Sequence, residues 1–96
     1  MSGLENLRRD YRAAFLGYLP RRDEAPLRLG YEIGRSAVVQ GLSLLDLASV
    51  HHEVLLEVLQ QTRSDELAMV AMAASEFLIE VLATYDMAQR SLPPRG

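Results

Sequence analysis

Residues 30–55, GYEIGRSAVVQGLSLLDLASVHHEVL, hold the end of one helical pattern, a stop and the capped start of the next. Gly41 is the stop, because glycine most readily takes the left-handed backbone conformation that closes a helix. Ser43-Leu-Leu-Asp46 is the start. The serine side chain can take a free N–H of the first turn, and Asp46 stands in for the usual glutamate or glutamine of a capping box. Upstream, Gly30 and Gly34 lie four residues apart within a helical pattern. Each costs about 1 kcal/mol relative to alanine there, so the pair predicts that another helix approaches the backbone closely.

The same punctuation runs outward in both directions. Leu4, Leu7, Tyr11, Phe15 and Tyr18 recur at steps of three and four, one face of a first helix that Pro20 stops. The second helix is expected over about residues 23–40, with Asp23 as cap, Glu24 at the positive end of the dipole and Pro26 tolerated in the first turn. Leu27, Tyr31 and Val38 form its stripe. The third runs to about residue 61 on Leu44, Leu47, Ala48, His51, Leu55 and Val58, with Asp46, Glu53, Glu57 and Gln60 on the solvated side. Ser64-Asp-Glu-Leu67 opens the fourth, with Ser64 as its cap, and Ser91-Leu-Pro-Pro ends it. Four helices joined by short loops predict an all-α, up-and-down four-helix bundle over residues 1–90, with 91–96 as a tail or the start of a linker.

The fourth helix is apolar on two sides. Leu67, Val70, Ala71, Ala74, Phe77, Leu78, Val81, Leu82 and Tyr85 suffice for a bundle core, yet Met69, Met72, Ile79, Ala83 and Met87 lie opposite, interrupted by Glu76 and Glu80. A second apolar face of this kind marks a partner or dimer surface, where flexible methionines adapt to the opposing shape. Glu76 and Glu80 are either solvated or meet arginines of that partner. Arg28, Glu32 and Arg35 project from the second helix. If the second and fourth helices are antiparallel neighbours, these side chains join Met72, Glu76, Ile79, Ala83 and Met87 in one groove with an apolar floor and a charged rim.

Composition excludes several classes of function. At 96 residues and 49% hydrophobic the chain is one domain able to bury a core, and it has no cysteine for a disulfide, a thiolate nucleophile or a thiolate metal site. Ten basic residues, all arginine, against thirteen acidic ones leave a net charge of −3, which opposes binding to a nucleic-acid backbone. There is no signal-peptide pattern and no uninterrupted apolar run of about 18 residues, so no membrane partner and a cytoplasmic location are expected.

His51 lies in the third helix's stripe and is expected to be a neutral core residue bonded to a backbone or tyrosine partner. The adjacent His51 and His52 point about 100° apart and have Leu55 and Leu56 four residues on, which gives no metal-ligand spacing; no metal or cofactor is expected. His52-Glu53 is similar to the His-acid dipeptide of histidine kinases, so a histidine phosphotransfer or histidine-kinase-associated helical domain is the alternative reading. Val54, Leu55 and Leu56 follow it, however, and the chain has no nucleotide-binding glycine loop. The serines sit in caps and tails or singly on helices without a nucleophile–base arrangement.

The order Tyr11, Tyr18, Arg35, Leu44-Leu45-Asp46, His51, Leu55, Phe77-Leu-Ile-Glu-Val81 and Tyr85-Asp-Met-Ala88 resembles the N-terminal regulatory domain of RsbU-type serine phosphatases of bacterial stress responses. The likeness covers residues 11–90, and none of its elements is a catalytic signature. It implies a non-catalytic helical homodimer that binds an RsbT-like serine kinase, the switch protein. Binding would activate a metal-dependent phosphatase domain and so act, through an anti-anti-sigma factor, on a stress sigma factor by partner switching. The sequence stops where that catalytic domain would begin, so it is expected to be the regulatory part of a longer phosphatase or a stand-alone relative.

Overall fold

A computed structural model describes residues 3–91: helices α1 (Gly3–Tyr18), α2 (Glu24–Val39) and α3 (Leu44–Gln60), then a 3-10 turn (Ser64–Glu66) leading into α4 (Leu67–Ser91). No strand occurs among the described residues. The expected tail falls on residues 92–96, outside the described ones, apart from Ser91, which closes α4.

The local signals act much as their chemistry dictates. Gly41 sits at φ 76°, and the Ser43 hydroxyl accepts the Asp46 N–H (3.1 Å) while the Asp46 carboxylate accepts the Ser43 N–H (2.9 Å), so the capping box is complete. Two starts differ in detail. Asp23 occupies the N-cap position of α2 but its side chain makes no capping bond, and Ser64 lies inside the 3-10 turn instead of capping α4. Past Pro20 the chain turns through Arg22, at φ 55°, whose N–H closes on the Tyr18 carbonyl at 2.7 Å.

Successive helices alternate in direction, but consecutive helices are not always neighbours. Gly30 faces Phe77 and Gly34 faces Thr84 and Tyr85, so α2 and α4 run parallel in the closest packing of the molecule. Arg8 meets Glu53 and Arg12 meets Glu57, so α1 and α3 are parallel as well. Around the bundle the order is therefore α1, α2, α4, α3. The expectation of antiparallel neighbours for α2 and α4 is corrected here. The two glycines let α4 lie against the α2 backbone, so the pair that would be diagonal in a square bundle becomes the tightest.

Phe77 is the hub of the core. Its ring meets Tyr11 edge-on at 5.1 Å between centroids, with Phe15 and Tyr18 at 5.6 and 5.8 Å. Leu47, Val50, Val54, Ala73, Val81 and Ala37 close around these rings. The close α2–α4 contact also rotates the stripes from their expected positions. On α2 the buried set is Gly30, Ile33, Gly34, Ala37 and Val38, which leaves Tyr31 exposed at the edge. On α3 it is Leu47, Val50 and Val54, with Leu44 and Ala48 outside. On α4 Ala73 and Thr84 join the core, while Leu67 and Ala71 are exposed. By length and hydropathy, residues 64–91 are apolar enough to cross a membrane, at a mean hydropathy of 1.7 over the best window. In the bundle that apolarity serves the core on one side and an exposed face on the other.

Candidate protein-binding groove

The parallel packing of α2 on α4 leaves a groove along one side of the seam. Val38, Thr84 and Ala88 line its base, with Tyr31, Arg35, Val39, Met87 and Ser91 around them, enclosing about 300 Å³. Thr84 is buried without penalty because its hydroxyl donates to the Val81 carbonyl at 3.0 Å. Through Tyr31 the groove continues into a second depression of about 280 Å³ formed by Glu24, Leu27, Arg28 and Glu80. Among the described residues Arg28, Arg35 and Glu80 make no ion pair, so both charge signs stand free on the rim.

The outward side of α4 extends this surface. Met72, Ile79, Ala83 and Met87 share one helical face and are all exposed, with Ile79 65% accessible. Six of the eight side chains expected on the partner surface, Arg28, Arg35, Met72, Ile79, Ala83 and Met87, thus sit on the outer sides of α2 and α4. The other two are placed differently. Glu76 is exposed, but its carboxylate accepts the Tyr18 hydroxyl (2.9 Å) and Arg22 Nε (3.1 Å), a third role beside the two expected for it. Burial, with Glu76 as acceptor, holds the Tyr18 hydroxyl above the ordinary tyrosine range. Glu32 lines the groove on the far side of α2, about 460 Å³ between α1 and α2, with Asp10, Leu29 and Ser36.

The histidines belong to the α1–α3 contact. His51 is half-buried with Nδ1 2.8 Å from the Tyr11 hydroxyl, the tyrosine partner expected of it. Burial holds the imidazole below its usual value, with the neighbouring His52 adding to the effect, and burial pushes the Tyr11 hydroxyl up. On the adjoining surface Arg8–Glu53 (2.6 Å) and Arg12–Glu57 (3.0 Å) tie the same two helices, and the Arg12 hydrogen bond lowers the Glu57 carboxyl. Sequence reasoning put Glu53 and Glu57 on a solvated face. Their signal was legible as two matched i, i+4 pairs, Arg8/Arg12 and Glu53/Glu57. Among the described residues no three His, Asp or Glu side chains converge on a metal site.

An apolar floor, free charges on the rim and an adaptable methionine wall define a helical module built for protein contact. The family comparison agrees. The N-terminal domain of phosphoserine phosphatase RsbU matches over residues 9–88, and the chain belongs to that family. That domain is not the catalytic part of its phosphatase. No curated protein and no solved structure matches the chain.

Proposed function

We propose that this chain is the non-catalytic regulatory module of an RsbU-type phosphatase and that the α2–α4 groove docks a helix of an RsbT-like serine kinase. The observation that carries the reading is the continuity of surface from the unpaired Arg28 and Arg35, past Tyr31, to Met87 and the outer face of α4. An amphipathic helix fits such a groove, with apolar side chains on Val38 and Ala88 and charges of either sign at the rim. Docking would rearrange the phosphatase domains of a homodimer in the cytoplasm and lead to dephosphorylation of an anti-anti-sigma factor in a bacterial stress response. Family membership favours this over histidine phosphotransfer.

Calorimetric titration with the cognate switch kinase tests the site. Ile79→Asp should weaken binding by more than about tenfold, or about 1.4 kcal/mol. It should leave helicity and melting temperature nearly unchanged, because the side chain is largely in solvent. Arg28→Glu should act more weakly and with a dependence on salt, since a rim charge is screened. Unchanged kinase affinity for Ile79→Asp and for Met87→Asp, whose side chain lines the groove itself, would contradict the placement.

A further inference from the structure

The two walls of the α2–α4 groove carry opposite charge. On the α2 side stand Arg28 and Arg35, seven residues apart and so about 10 Å along the helix. The acids of α2 lie elsewhere. Glu24 is in the first turn, where the positive end of the helix dipole offsets it, and Glu32 lines the groove beside α1. On the α4 side stand Glu80 and, one turn earlier, Glu76. That helix has no basic residue before Arg90, whose partner is Asp86 at 3.2 Å. Arg22 offsets part of the Glu76 charge. Arg28 and Glu80 line one depression but make no ion pair, so each is left for an occupant.

This asymmetry matters because the flanks of a helix are not equivalent. An amphipathic helix laid apolar side down in the groove turns one flank to each wall. Residues one position after its apolar stripe, at +100°, face one side, and residues one position before it face the other. Turning the helix end for end exchanges the two flanks. Apolar contact with Val38, Met87 and Ala88 accepts either direction. Walls of opposite sign do not, since the reversed helix would set like charges against both of them.

We infer that the groove fixes the direction of the helix it holds: the partner helix has carboxylates on the flank that meets Arg28 and Arg35, and lysines or arginines on the flank that meets Glu80 and Glu76. This rests on the α2–α4 groove being the kinase site, and adds the partner's charge pattern and orientation to it.

Two synthetic helices of identical composition test the inference. Both carry leucines along one stripe. One has glutamate before and lysine after each stripe leucine, and the other has the two exchanged. Each bears a nitroxide at its N-terminus, so that line broadening in the isotopically labelled domain reports which end of the groove the nitroxide occupies. The two peptides should occupy opposite ends, one broadening amides near Arg28 and Glu76, the other those near Val39 and Met87. In the Arg28→Glu/Arg35→Glu/Glu80→Arg variant, whose walls are exchanged, each peptide should reverse. In about 1 M salt, where the Debye length falls to about 3 Å, each peptide should broaden both ends equally. Nitroxides at the same end for both peptides, an end that does not reverse in the exchanged variant, or no binding of either peptide would overturn the inference. The kinase titrations fail separately. If Met87→Asp loses the kinase while both peptides choose one end, the groove stands and its polarity falls. If kinase affinity is unchanged while the peptides take opposite ends, the polarity stands and the kinase binds elsewhere.

Discussion

Gly34→Ala is the most direct probe of what holds this bundle together. A β-carbon at that position would fall on the Thr84 hydroxyl and the Val81 carbonyl, and 2.9 Å from the Tyr85 nitrogen. Two of those three atoms are backbone of α4 and cannot swing aside, so the helices themselves must separate. Overpacking of this kind costs about 1–3 kcal/mol or more, against about 1 kcal/mol gained in helix propensity. With two rigid backbone contacts the cost lies at the upper end of that range, so the net loss should be about 2 kcal/mol, which lowers the melting temperature of a domain this size by roughly 8–16 °C. Gly30→Ala provides the contrast. There the new carbon meets side-chain atoms, Phe77 Cε1 at 3.1 Å and Val81 Cγ2 at 3.3 Å, which can yield by tenths of an ångström, so stability should change by less than about 1 kcal/mol. Gly17, with only Pro26 Cβ at 4.0 Å, should become more stable as alanine. Thermal unfolding followed by circular dichroism would rank the three variants. A Gly34→Ala protein as stable as the wild type would refute the close parallel packing of α2 on α4.

Two further predictions concern the polar contacts. His51 should titrate below the ordinary 6.5 in an NMR pH series, because burial disfavours its charged form. The unfolded chain then takes up the proton more readily than the folded one. The stability conferred by neutral His51 is therefore full above 6.5 and is lost as the pH falls through the lowered value; a midpoint at or above 6.5 would contradict this. Glu76→Ala strips both Tyr18 and Arg22 of their acceptor and should destabilise by about 1 kcal/mol in urea unfolding. It also removes the clasp that holds Arg22 in its left-handed conformation, so Arg22→Gly should be better tolerated in the Glu76→Ala background than in the wild type.

Helix boundaries were legible in the sequence because they depend on chemistry local to each end: Pro20, Gly41 and the Ser43–Asp46 box act within a turn of themselves. The glycine pair also announced its close contact. What it could not name was the partner, since the same signal fits any helix of the bundle, and the parallel α2–α4 neighbours emerged only from the packed structure. That packing explains the errors of phase. Once α4 sits on Gly30 and Gly34, Ile33 and Ala37 turn inward and Tyr31 moves to the rim, where it became a wall of the candidate groove and not a core residue. Glu76 was read on its own helix, whereas its fate is set by Tyr18 and Arg22, more than fifty residues earlier in the chain. Most of the outer α4 face, by contrast, was visible from periodicity, because exposure on a long helix needs no knowledge of neighbours beyond which face is apolar enough for a core.

The central claim is that the α2–α4 groove is the docking surface. The measurement that tests it most directly is an NMR map of backbone amide shifts in the labelled domain, alone and saturated with the unlabelled switch kinase. Shifts should concentrate on residues 28–39 of α2 and 79–91 of α4, with α3 from Leu45 to Leu59 little changed. Shifts that gather on α3, or in the Asp10–Leu29–Glu32 groove on the far side of α2, with the α2–α4 seam undisturbed, would contradict the account.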